Sequence, residues 1–176
     1  YVVPSAPLEE AYKGLRAIAR LDDFSNVAYD FAVPKWTGQT DTEALLRSRA
    51  TAYALYVLAK AGKADVGQVR YFHDARLSKE PSPLARAQIG AALAHLGDRA
   101  RARSAFRQAE AAIGYRNPGD YYQSVVRDTA GVIALAAEAA ATDPSLNDVV
   151  QRLSRRLEND QPRADQPRSS CPRGHA

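Results

Sequence analysis

The side chains best suited to chemistry in this sequence are His73 and Asp74, with Tyr71 close by. A histidine beside a carboxylate is a pattern for general acid–base catalysis. Adjacent residues do not share a helix face, however, and no nucleophile or third partner accompanies them. The pair therefore reads as a surface ion pair. Glu9, Glu10, Glu110 and Glu138 fall on separate segments, with no two placed at the separation that glycoside hydrolysis requires. His95 comes just before Gly97, where a histidine interacts with helix-end carbonyls, so a metal role is not expected. Arg127 and Asp128 open an apolar stretch. They read as a helix-start ion pair favoured by the helix dipole, with a polar lock as the sharper alternative. Cys171 is the one cysteine, which leaves neither an internal disulfide nor a cysteine-based metal site. No catalytic, cofactor-binding or metal residue is assigned, no cofactor is expected, and the chain reads as a non-enzyme.

These residues must be positioned by a chain of 176 residues, long enough for one domain with a real core. Hydrophobic residues are 45% and charged residues 25%, the balance of a soluble globular protein. No apolar run approaches the length of a membrane span, so membrane contact is not expected of this stretch. The net charge is only +4. The densest basic run, Arg99 to Arg107, falls on the polar face of a helix, so a nucleic-acid partner is not expected either. The chain begins at Tyr1 without a signal peptide and reads as a piece of something longer.

Hydrophobic spacing predicts an all-α chain. Tyr1 to Pro7 reads as an extended lead-in, followed by a helix from Leu8 to Leu21 with Tyr12, Leu15 and Ile18 on one side. Asp22 to Gln39 is a long connection that Tyr29, Phe31, Val33 and Trp36 could shape by their own packing. The next helix opens at Thr40 or Asp41 and ends at Gly62. Asp65 caps a shorter helix to Leu77, with Val69, Phe72 and Leu77 inward. Pro83 opens a helix ending at Gly97. Asp98 caps another whose apolar stripe is Ala102, Ala105, Phe106, Ala109 and Ile113. Asp120 is the expected cap of the helix that contains Val125 to Ala141. Asp143 and Pro144 start the last one, with Leu146, Val149, Val150, Leu153 and Leu157 on one face.

Helices that are apolar all round begin near Thr40, Pro83 and Tyr122, and each is followed by a one-sided helix. Such alternation specifies an inner and an outer layer. Burying one large inner-layer aliphatic contributes roughly 1.5–3 kcal/mol, so aspartate at Leu55 or Ile133 is expected to unfold the domain. Residues 159–176 hold no aliphatic side chain larger than alanine and read as a disordered polar tail.

Three stretches carry a resemblance. They are RATAYALYVLAKAGKADVGQVRYFHDARL (49–77), SPLARAQIGAALAHLGDRARARSAFRQA (82–109) and DYYQSVVRDTAGVIALAAE (120–138). In this order and spacing they resemble the thioester-domain region of bacterial alpha-2-macroglobulins, large complement-like protease inhibitors. The resemblance implies an α/α toroid, here partial, with inner and outer layers of antiparallel helices across residues 1–158. It also implies a trap, in which a surface lysine of the target protease attacks an internal thioester. That thioester needs a Cys-x-Glu-Gln motif, which this chain lacks; Cys171 is followed by Pro-Arg-Gly. The resemblance therefore implies the downstream part of the domain, inert by itself. Its partners would be target proteases, through the parent protein, and other domains of the same chain, with self-association through an exposed apolar edge. It further implies a periplasmic location, with the parent tethered to the inner membrane by an N-terminal lipid. The alternative is a tetratricopeptide-like helical-repeat binding module, which residues 82–109 also resemble. The repeat of about 40 residues is longer than the 34 of such units. A toroid hydrolase fragment would need the paired carboxylates that are missing.

Overall fold

A computed structural model describes residues 4–20, 40–115 and 123–160. Among the described residues there are helices and turns but no strands. The expected packing of Tyr29, Phe31, Val33 and Trp36, the expected cap at Asp120, and residues 161–176 with Cys171 lie outside the described residues.

The helices are α1 (Ser5–Arg20), α2 (Thr40–Lys60), α3 (Val66–Tyr71), α4 (Pro83–His95), α5 (Arg99–Ala112), α6 (Val125–Ala140) and α7 (Asn147–Asp160). Helix α1 starts at Ser5, three residues before the expected start, because proline is tolerated in a first turn and does not hold residues 5–7 extended. Helix α2 ends as its glycine predicts. Gly62 takes φ +68°, its N–H reaches the Ala59 carbonyl at 3.0 Å, and the Lys63 N–H reaches that of Leu58 at 2.8 Å. Gly97 closes α4 in the same way, with the Asp98 N–H 2.9 Å from the Leu93 carbonyl. Caps at Asp65 and Asp98 form as expected. Ser124 caps α6, later than the expected start near Tyr122, through its hydroxyl to the Arg127 N–H. Helix α7 reaches Asp160, two residues into the expected tail.

The predicted single helix over Val66–Leu77 is instead α3, a π turn over Phe72–Arg76 and a short 3-10 turn over Leu77–Lys79. The Leu77 N–H bonds to the Phe72 carbonyl, five residues back. That wider turn brings Leu77 to the same side as Phe72, and both are buried. A regular helix would have turned Leu77 away.

Helix α4 lies at the centre. It packs against α2, α5 and α6, while α1 packs on α2 and α7 on α6. The inner row is thus α2, α4 and α6, with α1, α5 and α7 behind it. On α4 the apolar-all-round reading holds, since Ala85, Ala87, Ile89, Gly90, Ala91, Ala92, Leu93 and Ala94 are all buried. On α6 it fails on one side. Val126, Ala130, Ala134 and Ala137 are exposed there and Ile133 is half-buried, because among the described residues no helix covers that face. Aspartate at Leu55, 1% exposed, retains its expected effect, while Ile133 does not sit deep enough for the same argument.

Candidate functional site

The strongest polar constellation lies where the three inner helices end. Tyr56 and Lys60 stand in the last two turns of α2, His95 is the last residue of α4, and Glu138 is in the last turn of α6. Their side chains meet on one carboxylate. The Tyr56 hydroxyl donates to Glu138 Oε2 at 2.9 Å, Lys60 Nζ donates to the same oxygen at 2.8 Å, and His95 Nε2 lies 2.7 Å from Oε1. Three C-terminal turns in contact mean that α2, α4 and α6 run in the same sense. The hairpin at Gly97 returns α5 antiparallel to α4.

Burial pushes the Glu138 carboxyl up, but the hydrogen bonds from Lys60, His95 and Tyr56 together outweigh it and hold the group below the usual carboxylate range. The same contact raises Lys60. Burial, then the bond to Glu138, raises the Tyr56 phenol. Glu138, Lys60 and Tyr56 are thus each held in the resting protonation state: an ionised acid, a charged lysine and a neutral phenol. A general base or nucleophile needs the opposite, a group whose protonation is poised near the working pH. The Tyr53 ring adds an exposed aromatic 6.4 Å from that of Tyr56. The constellation is suited to fixing helix ends.

The sequence placed His95 against helix-end carbonyls and left Glu138 without a partner; the structure brings the two together across α4 and α6. The signal was present in part. Tyr56 and Lys60 lie one turn apart, and His95 and Glu138 each stand at the end of an inner helix. What periodicity could not supply was the parallel sense of those helices.

The other sequence candidates stay apart from this site. His73 Nδ1 pairs with Asp74 at 2.7 Å, and Arg101 grips the same carboxylate at 3.0 Å through both Nε and Nη2. Arg101, then His73, holds Asp74 down to about 2. Tyr71 faces Arg76 instead, whose guanidinium carbon lies 5.8 Å from its ring centroid. Arg127 and Asp128 form the helix-start pair at 2.6 Å, with Asp128 buried. Glu110 pairs with Arg152 at 2.9 Å, Glu10 with Lys13 at 3.5 Å and Glu9 with Lys63 at 3.5 Å. Within the basic run of α5, Arg101 is engaged as above and Arg103 meets Asp143 at 3.0 Å. Among the described residues, no group of three His, Cys, Asp or Glu side chains could hold a metal ion, and no helix is long and apolar enough to cross a membrane.

One further carboxylate is buried. Glu80, 2% exposed, receives the Ser48 hydroxyl and, at 2.9 Å, the Ser82 N–H. Burial pushes its carboxyl up despite these bonds. Arg86 reaches past it to the carbonyls of Glu80 and Gln108. Together they seal the entrance to α4, between α2 and α5.

Comparison with known proteins agrees with this picture. No family model matches the chain. An alpha-2-macroglobulin of Xylella fastidiosa strain 9a5c is 35% identical over 124 residues, 69% of this chain. That of strain Temecula1 is 34% identical over the same length. The chain spans only 7% of the length of either relative. Among solved structures, a Salmonella alpha-2-macroglobulin reacted with methylamine matches with a TM-score of 0.67 and 25% identity, covering 90% of this chain and 10% of that one. The native conformation of the Escherichia coli alpha-2-macroglobulin matches with a TM-score of 0.66 over 88% of this chain and 9% of that one; at 23% identity it speaks for the fold alone.

Proposed function

The chain belongs to the bacterial alpha-2-macroglobulin family as a homologue of a short stretch of its members, and from that premise we propose that it is the downstream part of the helical thioester-type domain of a bacterial protease inhibitor. In this reading the parent traps proteases, covalently or sterically, and residues 1–158 form one sector of an α/α toroid without its Cys-x-Glu-Gln segment. The observation that carries the reading is the homology to alpha-2-macroglobulins across most of the chain. The row α2–α4–α6 with α1, α5 and α7 behind it supports it.

The work of this stretch is mechanical in the proposal. Glu138 ties the ends of three parallel helices, and Glu80 with Arg86 seals the entrance to the central one. Together they give a stiff base for a reactive centre carried elsewhere in the parent. Its partners are target proteases through the parent, and the parent's other domains. The exposed row Val126, Ala130, Ala134 and Ala137 is the apolar edge at which the helical layer would continue. The parent would work in the periplasm, tethered to the inner membrane by a lipidated N-terminus.

The test is mass spectrometry of the full-length parent before and after methylamine, with thiol titration alongside. Addition of one methylamine to a glutamine outside this chain, with release of one thiol, is the covalent trap's expected result. With no addition, protection of the parent-bound protease from macromolecular but not small substrates is the steric trap's. Failure of both overturns the inhibitor reading and leaves the tetratricopeptide-like binding module.

A further inference from the structure

A cleft of about 450 Å³ opens between α1, α2, α3 and the π turn. Its floor is mostly apolar, made by the buried Ala19, Leu55 and Phe72; Thr51, also buried, turns its hydroxyl to the Ile18 carbonyl at 3.4 Å, and Gln68 lines it too. Its rim carries two guanidinium groups, Arg20 and Arg76, and the ring of Tyr71, which is 61% exposed. Among the described residues, no aspartate or glutamate lines it. The neighbouring arginines differ in this respect. Arg70 is held by Asp98 at 3.0 Å, and Arg101 by Asp74 at 3.0 Å. Among the described residues, Arg20 and Arg76 form no ion pair with a carboxylate. The π turn matters here, because Arg76 is its last residue and lies over the Tyr71 ring at 5.8 Å. Such turns recur at functional sites.

We propose that this cleft is a docking site for an acidic peptide segment of a partner protein, with an aspartate or glutamate beside a large aliphatic residue. The carboxylate meets the Arg76 guanidinium, preformed against Tyr71, and Arg20 reinforces the charge. The aliphatic neighbour fills the floor between Leu55 and Phe72. Charge complementarity selects this occupant: an inorganic anion would leave the apolar floor wet, and a purely apolar segment would bury two cations without a counter-charge. The site is independent of the Glu138 constellation and does not require the protease-trap reading.

The test uses the whole chain and fluorescence anisotropy. The probe is a fluorescein-labelled acetyl-Asp-Leu-Asp-Leu amide, with the asparagine-for-aspartate peptide as control. Saturable binding on the order of 100 μM is expected for the acidic peptide. It should weaken about tenfold in Arg76→Gln and also weaken in Arg20→Gln, each checked for unchanged thermal melting, and it should fall with added salt. Equal binding of the control peptide overturns the proposal, as does equal binding by both variants or no binding at millimolar peptide. A third chain carrying Asp22→Asn, Asp23→Asn and Asp30→Asn closes the remaining route. If the probe binds only to that variant, the chain's own residues 21–39 are the occupant and the partner proposal fails.

Discussion

The His95 imidazole and the Glu138 carboxylate lie 2.7 Å apart across 43 residues of sequence, joining the last turn of α4 to the last turn of α6. Glu138 sits near a helix C-terminus, where the dipole disfavours a negative charge. Three donors from two other helices offset that cost. Substituting Glu138→Ala leaves the half-buried Tyr56 hydroxyl and the more exposed His95 imidazole without their acceptor and should cost about 1 kcal/mol in urea unfolding. Lys60→Met should cost clearly less, since Lys60 is half exposed and its pair is screened. Equal losses in the two variants would mean that the exposed ion pair, and not the carboxylate's shared contacts, ties the helices.

Two carboxylates should tilt the acid limb of stability in opposite directions. Asp74 is held below its ordinary value of 3.8, at about 2, so its contribution is present above 3.8 and is lost as pH falls toward 2. It is half exposed, so solvent screening makes that contribution small. Glu80 is raised by burial. The folded chain therefore binds its proton before the unfolded chain does, and stability from this group grows as pH falls from neutral toward the ordinary carboxylate range. Asp74→Asn should flatten the loss below 3.8, and Glu80→Gln should remove the gain above it. Urea midpoints measured across that range decide both; a Glu80→Gln curve parallel to wild type would show that burial does not raise this carboxyl above its value in the unfolded chain.

Two glycines of the inner helices should respond differently to alanine. A Cβ on Gly90 would stand 3.0 Å from two ring atoms of Phe106 and 3.3 Å from the Ala105 Cβ, in a fully buried place. Overpacking there costs about 1–3 kcal/mol, which exceeds the roughly 1 kcal/mol that alanine gains over glycine in a helix. A Cβ on Gly131 would meet only the end of the Leu84 side chain, at 2.7 Å. Leu84 is half-buried and can turn away. Thermal melting should fall for Gly90→Ala and hold or rise for Gly131→Ala. A rise for Gly90→Ala would mean that Phe106 has room to move.

Much of this architecture was legible because local rules acted alone. Gly62, Gly97, Asp65, Asp98 and Pro83 each end or start a helix by backbone geometry that needs no distant partner. The π turn was not legible. It exists so that Phe72 and Leu77 can both face the core, which is a tertiary demand. The grouping of Tyr56, Lys60, His95 and Glu138 was missed for a related reason: each residue looks ordinary on its own helix, and only the parallel sense of α2, α4 and α6 brings them together. The half-burial of Ile133 was not legible, because an apolar-all-round pattern does not say which neighbour covers which side.

That uncovered side of α6 yields the last expectation. Val126, Ala130, Ala134 and Ala137 recur at helical spacing and are exposed together, with Val126 59% accessible. Small residues in a row let another helix approach closely, and a continuous apolar row in water favours association. In isolation this chain should therefore sediment as a concentration-dependent mixture. Ala134→Glu places a charge in the middle of the row without touching the core, so it should give a monomer with unchanged helix content. Leu55→Asp is the contrast: it puts the charge inside and should abolish the fold. If wild type sediments as a monomer at every concentration, the row is not an association edge. If Ala134→Glu unfolds the chain, the face is already covered, and the layer does not end at α6.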